Sequence, residues 1–306
     1  MADINGTFEK DVLFGSQGND VINALAGNDF VVGLDGDDTV NAGSGDDVVF
    51  AGNGNDRVFG NSGTDNLIGN DGNDFLDGGA GNDFLVGDET SNVEQEGNDT
   101  LIGGAGEDNL LGGKGADQLF GGKNNDFIAG DSGDDYVSGG KGDDEIFGNS
   151  GNDELYGNNG NDQIAGGGGN DKVFGGSGND TLFGVSVNVP GDGKDDIDIL
   201  TGNGGKDTFV LGSVLSDGTE IFLYNDGDVS TVGSNDYALI ADFENKDIIQ
   251  LIGEASNYSL GSSPEGLQSG TGIFFNDGAT PELIGIVADI SVDDLSLDNA
   301  GQFSFV

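Results

Sequence analysis

The feature that most constrains this chain is a nine-residue period that runs from residue 6 to residue 212. Two adjacent copies, residues 166–174 and 175–183, each begin with a glycine-rich stretch and reach an aspartate at the sixth position. Each copy then ends in three residues with an aliphatic residue in the middle. A fixed short period predicts a repeat architecture, in which each unit buries its apolar residue only by stacking on its neighbours.

Two columns of residues keep this period from Asp11 to Asp207. The residue two positions after each sixth-position aspartate is apolar without exception. The residue two positions before it is glycine in all repeats but three, which carry Glu9, Asn124 and Asp196. Because both columns follow one period, chance is a poor explanation for either.

The period also predicts the domain organisation. Residues 1–5 lead in, residues 6–212 carry the repeats with insertions near 87–96 and 184–192, and residues 213–306 have lost the period. We expect the tail to cap the array, because an open end would leave apolar surface and strand edges bare. Its short β-type runs predict strands at Glu220–Tyr224, Tyr237–Ile240, Ile248–Ile252, Gly272–Phe275, Leu283–Val287 and Gln302–Val306.

Composition excludes several classes of partner and chemistry. A net charge of −48 excludes nucleic acid as a partner and disfavours an anionic membrane surface. The chain has no Cys and no His, so we expect no disulfide, zinc site or His-dependent catalytic triad. No apolar run approaches the length of a membrane span, and the N-terminus lacks the regions of a signal peptide. Taken alone, this predicts a cytoplasmic protein or export by a route that does not read the N-terminus.

The repeat itself predicts an all-β fold. Positions one to six are rich in Gly, Asn and Asp, which tolerate the positive φ of tight turns, and positions seven to nine are long enough only for a very short strand. Turn, strand, turn and strand close one coil in about eighteen residues, with the central aliphatic pointing inward. We therefore predict a parallel β-roll with a β-rich C-terminal cap.

Stacked coils place aspartate over aspartate at a spacing of about 4.8 Å. Neighbouring unit charges at that distance repel by roughly 1 kcal/mol in water and about 3–4 kcal/mol at an effective dielectric of 20. Summed over the array, this exceeds the ~5–15 kcal/mol by which a domain stays folded, so cations have to lie between the turns. Ca²⁺ fits best, because it accepts six to eight carboxylate and carbonyl oxygens. We expect about one ion per regular repeat, at Asp20, Asp29, Asp38, Asp47, Asp56, Asp65, Asp74, Asp83, Asp99, Asp108, Asp117, Asp126, Asp135, Asp144, Asp153, Asp162, Asp171 and Asp180.

The repeats resemble the Gly-Gly-x-Gly-x-Asp-aliphatic nonapeptide of the RTX family. The resemblance implies a parallel β-roll with Ca²⁺ held between one loop and the loop two repeats later, by aspartate carboxylates and loop carbonyls. It also implies type I secretion through an uncleaved C-terminal signal. The tail adds to the resemblance, because residues 204–211 look like a closing repeat and residues 240–251 look like the β-rich segment that follows it in RTX proteases and lipases. The ending, residues 303–306, departs from the acid-plus-aliphatic terminus of those proteases.

Odd-numbered repeats present an apolar face, because consecutive repeats alternate between the two sheets. In the first nine repeats this face also has Val12, Phe30, Val48 and Phe84 at the seventh position, a larger apolar ladder than a lone soluble protein usually exposes. We expect the face to pack on other copies of the chain or on the C-terminal cap. Its ninth-position residues are Phe14, Val32, Phe50, Ile68, Val86, Leu111, Ala129, Phe147, Ala165, Phe183 and Val210.

These observations favour a non-enzymatic protein. The first hypothesis is a secreted, extracellular or cell-surface structural protein that folds on external Ca²⁺ and assembles into a layer, filament or matrix. The alternatives are a monomeric adhesin or ligand-binding module, such as an ice binder, and a non-catalytic relative of an RTX enzyme. Outward threonines are too sporadic to favour ice, and proteases and lipases of this family need histidine, which the chain lacks.

Overall fold

The computed structural model describes residues 1–88, 97–185, 196–214, 220–222, 237–276 and 281–306. The chain divides into two compact units, Met1–Gly148 and Asn149–Val306. Most of both predicted insertions, residues 89–96 and 186–192, lies outside the described residues, as does the end of the predicted strand at residues 223–224.

The first unit consists of two parallel sheets, and each repeat contributes one strand. The even-repeat sheet has the order β1-β3-β5-β7-β9-β11-β13-β15, and the odd-repeat sheet has the order β2-β4-β6-β8-β10-β12-β14-β16. The lead-in is part of the roll, because it supplies β1. The strands are β1 (Asp3–Asn5), β2 (Val12–Phe14), β3 (Val21–Asn23), β4 (Phe30–Asp35), β5 (Thr39–Ser44), β6 (Val48–Asn53), β7 (Arg57–Ser62), β8 (Asn66–Asp71), β9 (Phe75–Ala80), β10 (Phe84–Val86), β11 (Thr100–Ala105), β12 (Asn109–Lys114), β13 (Gln118–Lys123), β14 (Phe127–Ser132), β15 (Tyr136–Lys141) and β16 (Glu145–Ser150).

Strands pair in register with the strand of the repeat one coil away. Val31 of β4 lies opposite Val49 of β6, eighteen residues later. The first insertion does not disturb this register, because Leu76 of β9 lies opposite Leu101 of β11. The two-repeat coil predicted from the period is therefore confirmed in this unit.

The strands are longer than predicted. Most have six residues, because pairing continues from positions seven to nine into positions one to three of the next repeat, so that only positions four to six turn. In β4 the chain passes Leu34 with a left-handed φ of 88°, yet Leu34 and Asp35 still pair with Gly52 and Asn53. Each coil bends at the same place, so neighbouring backbones stay in register through the bend. The Gly, Asn and Asp residues at positions one to six therefore mark two features. Positions one to three form a bend within the strand, and positions four to six form the turn.

The second unit continues with the same arrangement and then closes it. Its even-repeat sheet has the order β17-β19-β21-β25-β29-β28-β27, its odd-repeat sheet has the order β18-β20-β22-β26-β30, and β23 and β24 form a separate antiparallel hairpin. The strands are β17 (Glu154–Asn159), β18 (Gln163–Gly168), β19 (Lys172–Ser177), β20 (Thr181–Phe183), β21 (Ile197–Gly204), β22 (Thr208–Val210), β23 (Gly212–Val214), β24 (Glu220–Phe222), β25 (Tyr237–Ile240), β26 (Ile248–Leu251), β27 (Tyr258–Ser262), β28 (Gly270–Phe275), β29 (Glu282–Ala288) and β30 (Phe303–Phe305).

The C-terminal strands extend the sheets of this unit from their ends. Strand β25 pairs parallel to β21, and β26 pairs parallel to β22, so the coil geometry outlasts the sequence period. Antiparallel pairing of β28 with β27 and β29 then ends one sheet. All six predicted tail strands are found with small shifts at their ends. Strands β23 and β27 and the 3₁₀ helices Ala255–Asn257 and Val292–Asp294 were not predicted.

The core of the roll has two positions per repeat. The eighth-position aliphatics, such as Val49 and Leu110, are fully buried, as the alternation predicts. The first position is buried too, and three repeats place the methyl groups of Ala24, Ala42 and Ala51 there. The predicted all-β parallel β-roll is thus confirmed in each unit. Among the described residues, no helix has the length and apolarity to cross a membrane.

Candidate metal sites

The sixth-position aspartates form buried carboxylate columns along the turns. Within each unit, from Asp29 onward, the side chain reaches back one coil, so that Oδ1 accepts a hydrogen bond from the backbone N–H of the aspartate there. Asp29 N donates to Asp47 Oδ1 at 2.7 Å, and Asp153 N donates to Asp171 Oδ1 at 2.8 Å. Every predicted ligand is 3% exposed or less: Asp20, Asp29, Asp38, Asp47, Asp56, Asp65, Asp74, Asp83, Asp99, Asp108, Asp117, Asp126, Asp135, Asp144, Asp153, Asp162, Asp171 and Asp180.

The first insertion leaves the columns intact. Asp74 N donates to Asp99 Oδ1 at 2.8 Å across twenty-five residues, and Asp83 N makes the same bond to Asp108 Oδ1. Gly87, just before the insertion, serves as the first position of the repeat whose sixth position is Asp99, because a Cβ on it would lie 2.5 Å from the Gly112 carbonyl oxygen. An insertion can therefore enter between the first and fourth positions without displacing the carboxylate.

The second carboxylate oxygen distinguishes these residues from ordinary turn aspartates. In a turn that only caps itself, both oxygens would find N–H or O–H donors. Here Oδ2 is buried and accepts no hydrogen bond in a long series of repeats. A buried charged oxygen without a partner is costly, so these atoms are the strongest indication that a cation binds here. The series comprises Asp29, Asp38, Asp47, Asp56, Asp65, Asp74, Asp83, Asp99, Asp108, Asp117, Asp126 and Asp171.

A backbone carbonyl oxygen converges on the same space. A Cβ built on Gly103 would lie 2.5 Å from Asp108 Oδ2 and 2.8 Å from the carbonyl oxygen of Gly121, one coil later. A side chain at the first position would therefore fill the space that both oxygens face. This position is glycine in every repeat from Gly60 to Gly175, whereas alanine occupies it in three earlier repeats.

The donor set fits Ca²⁺ rather than a transition metal. Within the described ranges, no three side chains of Asp, Glu, His or Cys come together in a group that could hold a metal. Each ion would therefore take one or two carboxylates from a column and complete its shell with backbone carbonyls and water. Ca²⁺ accepts six to eight such oxygens in flexible geometry, and Mg²⁺ retains its water too strongly for a cage of this kind.

Burial shifts the ionisation of the columns in the absence of a cation. It raises the pKa of Asp65 to about 7, of Asp74 to about 8, and of Asp99 and Asp171 to about 9. The N–H donor of the neighbouring coil lowers each pKa, but burial and the neighbouring carboxylates outweigh it. Without a cation, several of these groups would hold a proton at neutral pH.

The ends of the columns differ from their interior. In the first coil, Asp11 Oδ2 accepts bonds from the backbone and hydroxyl of Thr7, and Asp20 Oδ2 accepts bonds from Ser16 N and Oγ at 2.6 and 2.7 Å. Asp20 Oδ1 also accepts from Ala2 N, and the Ser16 and Ala2 bonds lower the pKa of Asp20. Asp20 therefore has partners for both oxygens, unlike the aspartates of the series above, and its place among the ligands, like that of every predicted ligand, stays a prediction.

Sequence reasoning missed the C-terminal end of the columns. Asp207 N donates to Asp247 Oδ1 at 3.1 Å, and Glu244 N donates to Asp247 Oδ2 at 2.7 Å, so Asp247 ends one column with both oxygens bonded. Asp242 accepts similar bonds from Gly202 N and Asn203 N. A signal for Asp247 was present, because Ile249 follows it at the spacing of the repeat.

A second ladder, also missed, lies outside the columns at the fifth position. Here the side chain reaches forward, so that Asn55 Oδ1 accepts from Asn73 N at 2.9 Å and Asn73 Oδ1 accepts from Asn98 N at 2.7 Å. The repeat pattern predicts Asn only as a turn former, yet its side-chain carbonyl also joins coils. The departure at Asn124 proves harmless to the turn, because Asn124 adopts a left-handed φ of 72°.

Comparison with known families agrees with this geometry. The model of the RTX calcium-binding nonapeptide repeat matches in overlapping segments that cover residues 5–93, 95–186 and 192–213, well over half of the chain. No curated protein matches the chain. The matched segments contain both carboxylate columns as far as Asp207, together with the glycines that face them. The chain therefore belongs to the RTX calcium-binding nonapeptide repeat family and is a calcium-binding repeat protein.

Proposed function

We propose that this chain is a secreted structural protein that folds when it meets extracellular Ca²⁺. The observation that carries the proposal is the series of buried Oδ2 atoms that accept no hydrogen bond. When bound, Ca²⁺ supplies the positive charge that lets these carboxylates remain ionised and adjacent. About one ion per regular repeat would match the one carboxylate that each repeat contributes.

The folding step acts as a switch between compartments. Where Ca²⁺ is scarce, the net charge of −48 and the aspartate columns oppose the compact state. Extracellular calcium modules typically bind with Kd values of about 10⁻⁴–10⁻³ M, so the roll would form only outside the cell. Family resemblance supports type I secretion of the unfolded chain, with the signal in the C-terminal region.

The experiment is circular dichroism and light scattering across a Ca²⁺ titration. We expect a disordered spectrum in excess chelator, and a β spectrum with a decrease in hydrodynamic radius at millimolar Ca²⁺. Mg²⁺ at the same ionic strength serves as the control and should produce little change. A β spectrum of equal amplitude in chelator at neutral pH would contradict the proposal.

Self-association through the odd-repeat face forms the second part of the proposal. In the first unit, Val12 and Phe14 are each 58% exposed, and Phe84 is 37% exposed on the same sheet. The rings of Phe30 and Phe50 pack against each other with centroids 5.8 Å apart, so part of the apolar ladder is covered within the chain. The described C-terminal strands of the second unit pair at the ends of its sheets, which favours another copy over the cap as the partner.

Charge placed on this face tests the association. A Val12→Glu, Phe14→Glu double variant should remain folded in Ca²⁺, because both side chains are largely exposed, and should lose the higher-mass species that the natural chain forms. Sedimentation velocity over a range of concentrations measures this. A natural chain that stays monomeric throughout, while still folding on Ca²⁺, would contradict association and leave calcium-dependent folding standing.

A further inference from the structure

Asp88 carries a buried carboxylate that the columns do not use. It is 1% exposed, and neither Oδ1 nor Oδ2 accepts a hydrogen bond of ordinary geometry, although the backbone N–H of Gly97 lies near enough to lower the pKa of the carboxyl. It follows Gly87 and so occupies the second position of its repeat, where the neighbouring coils have Asn70 and Gly113. Those neighbours show that the turn itself does not require an acid at this position.

Hydrogen bonds fix where Asp88 lies. Its backbone N–H donates to the Gly112 carbonyl at 3.0 Å, and Asn70 N donates to the carbonyl of the preceding residue, Gly87, at 2.9 Å. Asp88 therefore lies between Asn70 on one coil and Gly113 on the next. A Cβ on Gly113 would be 2.7 Å from Asp88 Cβ, so the absence of a side chain there makes room for the buried carboxylate.

Asp71, beside Asn70, presents a second unsatisfied oxygen at the same place. Its Oδ1 is buried and accepts no hydrogen bond, although the side chain as a whole is only half-buried. The two carboxylates influence each other, because burial first and then the charges of Asp117 and Asp71 raise the pKa of Asp88 to about 7. Adjacent coils thus direct two unsatisfied acids into one region.

We propose that Asp88 and Asp71 bind a further Ca²⁺ at the base of the first insertion, outside the sixth-position columns. Hard carboxylate oxygens select this ion, and backbone carbonyls and water would complete its shell, because the part of the chain that the structure describes has no group of three acidic side chains close enough to hold a metal. The ion would secure the point where the chain leaves the roll. On the returning side, Gly97 N already bonds to the Lys114 carbonyl at 3.1 Å.

Lys114 offers the competing explanation. The backbone N–H of Gly97 lowers the pKa of Asp88 most, and the ammonium charge of Lys114 lowers it further, so the two could stabilise the carboxylate without any metal. Burial and two acidic neighbours nevertheless leave that pKa well above its ordinary value, so the lysine offsets only part of the unfavourable environment. The two explanations predict different numbers of bound ions.

Native mass spectrometry of the full chain at saturating Ca²⁺ tests the proposal, because it resolves single bound ions. Asp88→Asn and Asp71→Asn should each bind one ion fewer than the natural chain, and the double variant should also lose one ion rather than two. Lys114→Gln should keep the full number. Asp35→Asn is the matched control, since Asp35 is a half-buried third-position acid like Asp71, but its Oδ1 accepts from Asn53 Nδ2 at 2.9 Å.

An unchanged ion number in both Asp88→Asn and Asp71→Asn would overturn the proposal and assign Asp88 to Lys114. If Asp88→Asn fails to reach the β spectrum in Ca²⁺, Asp71→Asn decides the question alone, because its half-buried side chain tolerates the change. A loss of one ion in the Asp35 control as well would also contradict the proposal, since it would reflect net charge rather than a site. A natural chain that binds no Ca²⁺ would instead refute calcium-driven folding.

Discussion

At the scale of single residues, the two carboxylate oxygens of a column aspartate have different roles. Oδ1 joins one coil to the next, and Oδ2 faces a space that a cation would occupy. Replacing Asp108 by Asn keeps an Oδ1 acceptor for Asp83 N–H but removes the charge. We expect the calcium-loaded protein to lose about 1–3 kcal/mol of unfolding free energy, and the same variant to be no less stable than the natural chain in chelator.

Thermal unfolding with and without Ca²⁺ tests whether the Asp108→Asn variant is destabilised only when Ca²⁺ is present. Asp37→Asn is the control, because Asp37 is exposed and its Oδ1 accepts from Asn55 N at 3.0 Å, a bond that Asn can keep. Equal losses for Asp108→Asn in both conditions would mean that the carboxylate acts only through hydrogen bonding.

The first position of the repeat gives a second prediction at this scale. A Cβ on Gly112 would lie 2.5 Å from Asp117 Oδ2 and 2.6 Å from the Gly130 carbonyl oxygen. Gly112→Ala should therefore weaken Ca²⁺ binding at that turn and cost about 1–3 kcal/mol through overpacking. Ala51→Gly is the reciprocal variant and should open the corresponding space beside Asp56. Calcium titration followed by circular dichroism compares the midpoints, and an unchanged midpoint for Gly112→Ala would contradict this placement of the ion.

At the scale of the strand, inward and outward positions should differ in energy as they differ in burial. Leu110 in β12 is fully buried, and Leu111 beside it is only half-buried. Leu110→Ala should cost about 2–5 kcal/mol, because stacked coils leave a cavity that they cannot collapse, and Leu111→Ala should cost clearly less. Denaturant unfolding of the calcium-loaded chain gives both values. Similar costs for the two variants would mean that the outward face is covered, as self-association predicts at high concentration.

The same scale shows what the sequence could and could not predict. The aspartate and aliphatic columns predicted the coil, the inward residue and the buried acids, because each depends only on the period. The first position was not recognised as part of the core, since glycine carries no apolar signal. The second half of the strand was not predicted either, because a strand does not normally continue past a left-handed residue such as Leu34. Asp88 was not recognised because its environment comes from coils that are distant in sequence. Asp247 was not recognised because only the spacing to Ile249 is kept there, and Asn245 stands where most repeats have glycine.

At the scale of the whole molecule, protons and Ca²⁺ are alternative ways to neutralise the columns. Burial raises the pKa of Asp47 and Asp108 to about 6, of Asp126 to about 8 and of Asp171 to about 9, from an ordinary value of 3.8. A raised pKa in the folded state contributes stability that is fully present below pH 3.8 and is lost as the pH rises through the folded value. The calcium-free roll should therefore be most stable in acid and lose stability progressively up to about pH 9.

The pH dependence of folding should therefore have opposite signs in excess chelator and in Ca²⁺. In excess chelator, the β spectrum should be stronger at pH 4.5 than at pH 8, whereas in Ca²⁺ it should be complete at pH 8 and need more Ca²⁺ as the pH falls, because protons compete for the same oxygens. Circular dichroism over both pH series tests this, with Asp108→Asn expected to flatten the dependence slightly in chelator. A calcium-free chain that gains structure as the pH rises would contradict the burial of the columns, since only exposed or hydrogen-bonded carboxylates behave that way.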